Sequence, residues 1–569
     1  MRRRTFVASL AGLIGSRSAS AQMMHDMGTM AGEGAPPVPK PAVPVLPQGQ
    51  PLRDLPRLPN ESTVPGRFSA TITAGPGVVR YAEGLATPVL LYDGVQPVIE
   101  ATEGDRIAIR FRNGIPGQPS TIHWHGMPVP SDQDGNPMNP VASGDERLYA
   151  FDLPEGSAAT YWFHPHPHNF TAEQVYRGLA GVFLVKPKVD PIPAAYGDTL
   201  LMFTDLRIAA DGTMPPSTMA DAMNGRVGDH VLVNGQKNPV LSVAPGEKRR
   251  IRLVNATNAR YLRLGFAGAR MLLVGTDGGL VETPVAVDEV MIVPGERVEL
   301  IVAFDRPGEA RLTTRAYARG WMGPDEPKEA GLVLLTARVS GRAAAAAPPL
   351  PPVLRRVVAL GEPVVSRRLV FTEAMSRGGG MEGSHGLQHP EGMQDLKGMQ
   401  DSKGLQAPEG MRDTGGMASM GRPDGMGSPD GMEGMAGMDM GATARSAPSP
   451  STPPGGMGMR FLINGRSFAM GRIDEVSKVG QLESWSIVNG SDMDHPFHIH
   501  GTQFQVVDIA EAGAIRTPAI RCWKDTVNVA VGETVRIRLR QDLPGPRMYH
   551  CHILEHEELG MMGTLDVRA

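Results

Sequence analysis

The sequence contains few of the residues that define several common protein classes. With 2 cysteines in 569 residues, at most one disulfide can form, which excludes a small disulfide-stapled scaffold. Aromatic residues make up only 5% of the chain, and no uncharged apolar run reaches the roughly 18 residues that a membrane-spanning helix needs. The net charge of -4 argues against a basic nucleic-acid-binding surface. We therefore expect no membrane span and no nucleic-acid partner.

Glycine, proline, methionine and histidine are what the chain does contain in quantity or in pattern. The 69 Gly and 51 Pro make up about a fifth of the residues, above average usage, and long apolar helical patterns are rare. This composition favours a turn-rich all-β fold over a helical bundle. The 33 Met and 15 His point to a chemical role for these two residue types.

The first residues resemble an export signal. Residues 1–21 begin with a group of arginines, continue into a short apolar stretch and end with the small residues Ala19 and Ala21. The run RRTFV from Arg3 resembles a twin-arginine signal, and an ordinary secretory signal is the alternative. We expect a periplasmic protein whose signal is followed by a mobile Met- and Pro-rich leader at 22–60.

Three stretches of the chain repeat one pattern. Each has an apolar strand that ends in Asp-Gly or Asn-Gly, followed 19, 20 or 24 residues later by the end of an alternating strand at an asparagine. Alternation with a period of two is typical of half-buried strands. The glycines are Gly94, Gly235 and Gly465, and the asparagines are Asn113, Asn255 and Asn489. We predict three copies of one β-sandwich, at 61–188, 189–345 and 366–569, with a linker at 346–365.

The third copy contains a long Met-rich insertion at 375–459. It holds 14 of the 33 Met and almost no Val, Ile, Leu or Phe. A segment with so little to bury cannot offset the entropy of ordering it, so a mobile loop is predicted. Within it, glycines recur every six residues from Gly392 to Gly416, and most are followed by Met. That period fits neither helix nor strand and indicates selection for side-chain chemistry.

Four His-x-His pairs are the strongest functional signal in the sequence. Residues i and i+2 of a strand point to the same face, so each pair presents two imidazoles to one point. Eight converging imidazoles could hold three metal ions. The pairs are His123 and His125, His164 and His166, His498 and His500, and His550 and His552.

A second metal site is predicted on the opposite face of the last pair. Cys551 lies between the two histidines of that pair and therefore points away from them. With His495, His556 and Met561 it supplies two imidazoles, a thiolate and a thioether, which is the ligand set of a blue-copper site. Copper fits better than zinc, because structural zinc sites prefer four strong ligands. Cys551 would connect the two sites covalently.

The blocks HWHG, HPH, HPFHIHG and HCHILEHEELGM resemble, in order and in spacing, the four signature motifs of the multicopper oxidases. The resemblance covers essentially everything after residue 60. It implies three cupredoxin domains, which are Greek-key β-sandwiches, with the Met-rich insertion in the third and a trinuclear cluster between the first and third. It also implies four copper ions: one type 1, one type 2 and two type 3.

The resemblance further implies a role for each residue of these blocks. It places type 2 copper on His123 and His498, one type 3 ion on His125, His164 and His552, and the other on His166, His500 and His550. It places type 1 copper on His495, Cys551, His556 and Met561. Asp134 and Glu557 match acids that assist proton delivery, with ordinary solvated acids as the alternative reading. His168 receives no copper in the family pattern.

The second copy of the sandwich lacks the metal ligands. After Asn255 it reads ATNARYLRLGF, with Tyr261 and Arg263 where the other copies place histidine. We expect a copper-free domain that supplies packing and distance between the outer two.

The implied reaction is the four-electron reduction of dioxygen to water by electrons collected singly at type 1 copper. The reductant stays open between Cu(I), as in periplasmic cuprous oxidases that serve copper tolerance, and a phenol or aromatic amine, as in laccases. Thioethers favour Cu(I), so the Met-rich insertion favours the cuprous reading. Met493 and Asp492 are candidate substrate ligands, although related metallo-oxidases often have a different Asp/Met order. A copper-binding or storage protein is the alternative from another class. We expect a monomer.

Overall fold

The computed structural model describes residues 43–323, 331–377 and 457–569. The predicted signal at 1–21 and nearly all of the insertion at 375–459 lie outside these ranges. The chain divides into two units, Met1–Ala374 with Met459–Ala569, and Met375–Gly458, and the sites described below lie in the first. Over the described ranges, no helix combines the length and the apolar character needed to cross a membrane.

The first β-sandwich contains eight strands and one short helix. Its strands are β1 (Arg67–Ala82), β2 (Leu85–Tyr92), β3 (Val98–Thr102), β4 (Arg106–Asn113), β5 (His123–His125), β6 (Glu146–Asp152), β7 (Ala159–His164) and β8 (Gly181–Lys186). They form two sheets with the orders β2-β1-β4-β6 and β3-β8-β7-β5. Helix α1 (Thr171–Tyr176) precedes β8. The inward-facing residues of both sheets, Trp124 among them, form the core.

The second sandwich has eleven strands in sheets of six and five. They are β9 (Asp198–Leu206), β10 (His230–Val233), β11 (Val240–Val243), β12 (Glu247–Asn255), β13 (Leu262–Ala267), β14 (Arg270–Thr276), β15 (Gly279–Val287), β16 (Val290–Ile292), β17 (Arg297–Phe304), β18 (Gly308–Arg315) and β19 (Leu332–Val339). The orders are β10-β9-β12-β17-β14-β15 and β11-β19-β18-β13-β16. Helix α2 (Met219–Asn224) starts with a capping box in which Thr218 and Asp221 bond reciprocally.

The third sandwich repeats the arrangement of the second. Its strands are β20 (Val365–Arg377), β21 (Met457–Ile463), β22 (Glu475–Lys478), β23 (Leu482–Asn489), β24 (His495–Ile499), β25 (Phe504–Glu511), β26 (Ala514–Arg516), β27 (Thr526–Val529), β28 (Glu533–Arg540), β29 (Gly545–Cys551) and β30 (Met562–Arg568). The orders are β21-β20-β23-β28-β25-β26 and β22-β30-β29-β24-β27. Helix α3 (Leu554–Glu558) follows the cysteine.

The predicted threefold repetition is present in the strand pairing. In each sandwich the first strand runs parallel to the strand that ends in the repeated asparagine: β1 with β4, β9 with β12, and β20 with β23. The predicted all-β fold of three sandwiches is thus confirmed. The boundaries 61–188, 189–345 and 366–569 stay a prediction, supported by the extents of the paired sheets.

The repeated Asp-Gly and Asn-Gly pairs form tight turns. Both residues of each pair have positive φ, as a type I′ turn requires, and glycine takes the second position without steric cost. The φ values are 49° and 80° at Asp93 and Gly94, 49° and 74° at Asn234 and Gly235, and 53° and 71° at Asn464 and Gly465.

The repeated asparagines bind the loop that follows each strand. In all three copies the buried Nδ2 donates to two carbonyl oxygens, one of them just downstream and the other from a second segment. The acceptor pairs are Gln118 and Val141 for Asn113, Arg260 and Ile292 for Asn255, and Met493 and Val529 for Asn489. In the third copy this bond fixes the chain two residues before His495.

Part of the predicted mobile leader is instead packed in place. Leu46 and Leu55 are buried against the first two sandwiches, and the Leu52 amide donates to the Val240 carbonyl at 2.8 Å. The expectation of a mobile leader up to residue 60 is therefore wrong for residues 46–58. These leucines bury apolar surface, which the Pro-rich composition of the whole leader obscured.

Candidate metal centres

Eight histidines meet where the first and third sandwiches come together. Strands β5 and β7 pair His123 with His164, and β24 and β29 pair His498 with His550. Of the remaining members of the His-x-His pairs, His125 lies in β5 itself, whereas His166, His500 and His552 come just after the ends of β7, β24 and β29. All eight rings have 0% exposure: His123, His125, His164, His166, His498, His500, His550 and His552.

Hydrogen bonds fix which ring nitrogen is free in most of these histidines. Nδ1 lies 2.7–2.9 Å from an oxygen in five rings, so it carries the proton and donates it. The acceptors are the carbonyls of Asp134 for His123, Pro165 for His164, Asp525 for His498 and Cys551 for His550, and the Asp134 carboxylate for His500. The Nε2 atom of each of these rings is therefore unprotonated and has a lone pair available for a metal ion.

Several of the free nitrogens lack a hydrogen-bonding partner. Among the described residues, Nε2 of His123, His164 and His498 is buried and has no such partner. Nε2 of His550 lies 3.1 Å from Nε2 of His500 and 3.3 Å from that of His166. A buried polar atom without a partner is costly, and a cation would satisfy several of these at once. The donor set thus fits metal ions.

In His125 the roles of the two ring nitrogens are exchanged. Its Nε2 lies 3.1 Å from a carboxylate oxygen of Asp525, whereas its Nδ1 has no partner. His552 has no partner at either nitrogen. Burial lowers the pKa of both rings well below the usual histidine value. The neutral imidazole that results is the form that binds metal.

Distances alone do not divide the eight histidines among three ions, so the assignment of ligands to each ion stays a prediction. Donor atoms of His123 lie within 4.8 Å of those of His125 and His164, and also within 4.8 Å of those of His498 and His500. Donor atoms of His166, His500 and His550 lie within 4.8 Å of one another. The ring of His552 lies 4.9 Å from His125 and 5.5 Å from His164, centroid to centroid. The rings of His123 and His498 are 5.8 Å apart.

A second site lies within the core of the third sandwich. The Cys551 Sγ is 3.3 Å from Nδ1 of His495 and 3.9 Å from Nδ1 of His556, and the two Nδ1 atoms are 3.3 Å apart. All three residues have 0% exposure, as does Met561, which belongs to the same core group. The ring of Phe461 stacks on His556 at 3.8 Å.

The outer nitrogens of both histidines in this second site are engaged. Nε2 of His495 lies 2.8 Å from Ser491 Oγ, and Nε2 of His556 lies 3.1 Å from the Met223 carbonyl of α2. This leaves both Nδ1 atoms directed at the sulfur. Burial strongly raises the pKa of the Cys551 thiol, so ionising it needs a cation at the sulfur, which a bound metal would supply.

Asp134 and Glu557 are both buried beside the histidine cluster. Asp134 Oδ2 accepts from His500 Nδ1 at 2.7 Å, and Oδ1 lies 3.5 Å from His123 Nδ1 without a hydrogen-bonding partner among the described residues. Glu557 lies 3.5 Å from His166 Nδ1 and 3.3 Å from His550 Nδ1. Burial raises the pKa of both carboxyl groups. Neither is a solvated surface acid.

Sequence reasoning missed an ion pair that connects the second sandwich to the histidine cluster. Arg297, the first residue of β17, donates from Nη1 and Nη2 to the two carboxylate oxygens of Asp525 at 2.8 and 2.6 Å. Asp525 in turn contacts His125. Both charged residues have 0% exposure. No local motif marks them, because 228 residues separate the pair.

The remaining candidate residues have contrasting environments. Met493 has 0% exposure, and a Cβ added at Gly320 would lie 2.9 Å from the Met493 Cβ, so this loop of the second sandwich covers it. Asp492 is exposed. His168 is partly buried against the Phe468 ring and joins no metal-binding group of the described residues.

Comparisons with known proteins agree with this architecture. Family models described as multicopper oxidase match residues 75–190, 198–318 and 440–569. The multicopper oxidase mco of Staphylococcus epidermidis is 27% identical over 512 residues, 88% of this chain and 89% of that protein. The cell division protein FtsP of Escherichia coli is 27% identical over 484 residues, 82% of this chain and 83% of FtsP.

A solved structure is similar over almost the whole chain. A multicopper oxidase from Campylobacter jejuni, described as a metallo-oxidase, has a TM-score of 0.74 and 35% identity, covering 92% of this chain and 96% of its own. The three sandwiches are therefore cupredoxin domains, and the cofactors are four copper ions, one type 1, one type 2 and two type 3. The chain belongs to the multicopper oxidase family.

Proposed function

We propose that this protein couples one-electron oxidation of Cu(I), and of phenols, to the four-electron reduction of dioxygen to water, in the service of copper tolerance. One observation carries the proposal. Cys551 lies in the core of the third sandwich with His495 and His556, while its chain neighbours His550 and His552 lie in the histidine cluster. A single strand end thus joins an electron-accepting site to an oxygen-reducing one.

In this proposal the ligand sets follow the four motifs. Type 2 copper would be held by His123 and His498, and type 1 copper by His495, Cys551, His556 and Met561. The type 3 ions would be held by His125, His164 and His552, and by His166, His500 and His550. When bound, the coppers accept electrons singly and together supply the four that dioxygen needs.

The residues around the cluster orient these ligands and hold protons. Asp134 accepts a hydrogen bond from His500, and Glu557 lies between His166 and His550, so both carboxyls are placed where oxygen reduction consumes protons. Their burial keeps bulk water away, so each proton has to be passed on by a carboxyl oxygen of Asp134 or Glu557. We assign Asp134 and Glu557 to proton delivery on this placement.

Several features favour Cu(I) as the reductant. The Campylobacter jejuni relative is described as a metallo-oxidase, and thioethers of the Met-rich insertion favour the soft Cu(I) ion. Asp492 is exposed beside the type 1 ligand loop and could bind a cation there, whereas Met493 would need the covering loop to open. A laccase that acts mainly on phenols or aromatic amines is the competing function.

The experiment compares two reductants on one copper-loaded sample. Oxygen consumption is measured with Cu(I), held in a weak chelator, and with a small phenol over matched concentration ranges. The proposal expects a higher kcat/KM with Cu(I). Phenol oxidation with no Cu(I)-dependent consumption would favour the laccase. Stoichiometric copper binding without any oxygen consumption would favour a copper-storage protein.

Export and oligomeric state belong to the same proposal. The arginine-led start of the chain supports a periplasmic location reached by the twin-arginine route. We also propose a monomer. Cell fractionation and light scattering of the copper-loaded protein test these two statements.

A further inference from the structure

The route by which an electron can reach type 1 copper is narrow in this structure. His556 has 0% exposure, with Phe461 stacked on its face. Its Nδ1 faces Cys551 and His495, so its Nε2 carries the proton and donates it to the Met223 carbonyl at 3.1 Å. A reductant therefore cannot touch the outer edge of His556, and the residue that lies against this edge is Met223.

Met223 belongs to a group of methionines on the copper-free domain. Met219 lies one helical turn before it on α2, on the same face, and is 38% exposed. Met322 is tied to the end of the helix, because the Asn224 side chain accepts from the Met322 amide at 2.7 Å and donates to its carbonyl at 3.1 Å. Met223 and Met322 are partly buried against the core group that contains Cys551 and Met561.

We propose that Met223 and Met322, with Met219 at the rim, form a Cu(I)-binding site that delivers electrons through the Met223 carbonyl and His556. This inference rests on the proposed Cu(I) oxidation and names its entry point. Met493 lies nearer to His495 in the chain, but it is fully buried, whereas Met223 and Met322 are only partly buried and Met219 is exposed.

The chemistry of the site suits both binding and release. Uncharged thioethers bind Cu(I) well and Cu(II) poorly. Each bound Cu(I) loses one electron and becomes Cu(II), and the electron would pass across the hydrogen bond that His556 Nε2 donates to the Met223 carbonyl, toward the residues that would hold type 1 copper. Four such events provide the electrons that, with four protons, reduce one dioxygen to two waters. The Cu(II) product then dissociates from its weak ligands.

The test uses leucine variants that keep side-chain volume but remove sulfur. Met223→Leu, Met322→Leu and the double variant are compared with Met291→Leu, which changes a partly buried methionine packed on the same core from strand β16. In anaerobic stopped-flow, bleaching of the blue colour is followed with Cu(I) and with hexaammineruthenium(II), an outer-sphere reductant that needs no protein ligand. Bound Ag(I), a redox-inert mimic of Cu(I), is counted by mass spectrometry.

The proposal predicts a specific loss. At low Cu(I), bleaching in the double variant should slow by about tenfold or more, since each factor of ten corresponds to about 1.4 kcal/mol of lost transition-state stabilisation. The rate with ruthenium should be unchanged, the double variant should bind one Ag(I) fewer, and Met291→Leu should behave as wild type. The blue colour before mixing reports that each variant is folded and loaded.

Three outcomes would decide against this account in different ways. A double variant with wild-type Cu(I) rate and Ag(I) count would overturn the site while leaving Cu(I) oxidation in place. Equal slowing with both reductants would show that these methionines are structural only, which also overturns it. Wild-type protein that is bleached by phenol and by ruthenium, but not by Cu(I), would remove the proposed function itself.

Discussion

At the scale of single residues, the copper sites are prepared by hydrogen bonds at the nitrogen that does not face the metal. Carbonyl and carboxylate oxygens fix Nδ1 in five cluster histidines, while Ser491 and the Met223 carbonyl fix Nε2 in His495 and His556 beside Cys551. Each such bond selects one tautomer and one ring orientation. The surrounding protein groups thus set the orientation of the ligand side chains.

Arg297 offers a test of this preparation. Arg297→Ala would leave the Asp525 carboxylate buried without its partner, so the free energy of unfolding should fall by about 3–5 kcal/mol. His125 should also lose its fixed orientation, and the copper content should fall. Urea unfolding of the apoprotein and copper analysis of the loaded protein measure the two effects.

The matched control is Arg270→Ala, which removes an exposed ion pair with Asp305. Exposed pairs contribute about 0–1 kcal/mol, so little change is expected there. If Arg297→Ala were as stable and as copper-rich as this control, the ion pair would have no role in holding His125.

The copper ligands could be predicted from sequence because strands place residues i and i+2 on one face. Cys551 and its histidine neighbours needed no more than that rule. The contacts of Asp525 with His125, of Arg297 with Asp525 and of the Met223 carbonyl with His556 could not be predicted in the same way, because each of them joins separate sandwiches. Met223 acts through its backbone, which no side-chain pattern marks.

At the scale of elements, the same hydrogen-bonding pattern recurs in all three sandwiches, where a strand ends in asparagine. Asn113, Asn255 and Asn489 each bind two carbonyls across the sandwich. The sequence pattern located these strand ends correctly, since alternation and a terminal asparagine are both local signals. The hydrogen bonds that explain the asparagine involve a second segment and could only be seen in the structure.

Asn255 in the second sandwich serves as a control for the same hydrogen bonds of Asn489 in the third. Asn489→Ala and Asn255→Ala should each lower the free energy of unfolding by about 1–3 kcal/mol, because buried carbonyls lose their donor. Only Asn489→Ala should weaken the blue colour, because Asn489 fixes the Met493 carbonyl just before His495. Urea unfolding and visible absorbance measure the two effects. If both variants kept their colour equally, the hydrogen bond from Asn489 to the Met493 carbonyl would have no role in the geometry of the type 1 site.

At the scale of the whole molecule, the second domain contributes contacts to both candidate copper regions. It reaches the cluster through Arg297, and it reaches the type 1 region through the Met223 carbonyl and Tyr261, whose hydroxyl donates to Asn528 at 3.0 Å. The sequence predicted packing and distance for this domain. Its positioning role depends on contacts between domains, which repeats within the chain do not reveal.

A buried ion network joins the second domain to the first and makes stability depend on pH. Burial alone would raise the pKa of Glu299, but Arg250 and Arg252 lower it to about 2, and Thr160 of the first domain bonds the same carboxyl. A depressed pKa stabilises the fold above the unfolded-state value near 4.5, and this contribution is lost as pH falls toward 2.

Glu299→Gln should therefore lower the stability of the apoprotein at neutral pH by about 3 kcal/mol and flatten its decline between about pH 4.5 and 2. Urea midpoints measured across that range, beside Glu309→Gln in an exposed pair with Arg311, give the comparison. A pH profile for Glu299→Gln that keeps the wild-type slope would contradict the assigned pKa.

A deletion of the Met-rich insertion should be shorter than its predicted limits, 375–459, because strand residues lie at both of its ends. Strand β20 ends at Arg377 and β21 begins at Met457, and Met459 is buried in the core. Replacing 378–456 by a short Gly-Ser linker should thus preserve the fold and the blue colour, since no predicted copper ligand is lost.

If the insertion collects Cu(I), this deletion should lower oxygen consumption at low Cu(I) and leave saturating Cu(I) less affected. Phenol oxidation should be retained or increased. Equal loss of both activities would assign the insertion a structural role. Undiminished Cu(I) oxidation at every concentration would show that the insertion does not collect Cu(I).

The central claim is that Cys551 links a type 1 site to a trinuclear cluster, and Cys551→Ser tests it most directly. Copper analysis and visible absorbance are measured on wild type and variant loaded identically. The account predicts four coppers and a blue colour in wild type, and loss of the colour and of oxidase activity with most cluster copper retained in the variant. A Cys551→Ser protein that stays blue would contradict it.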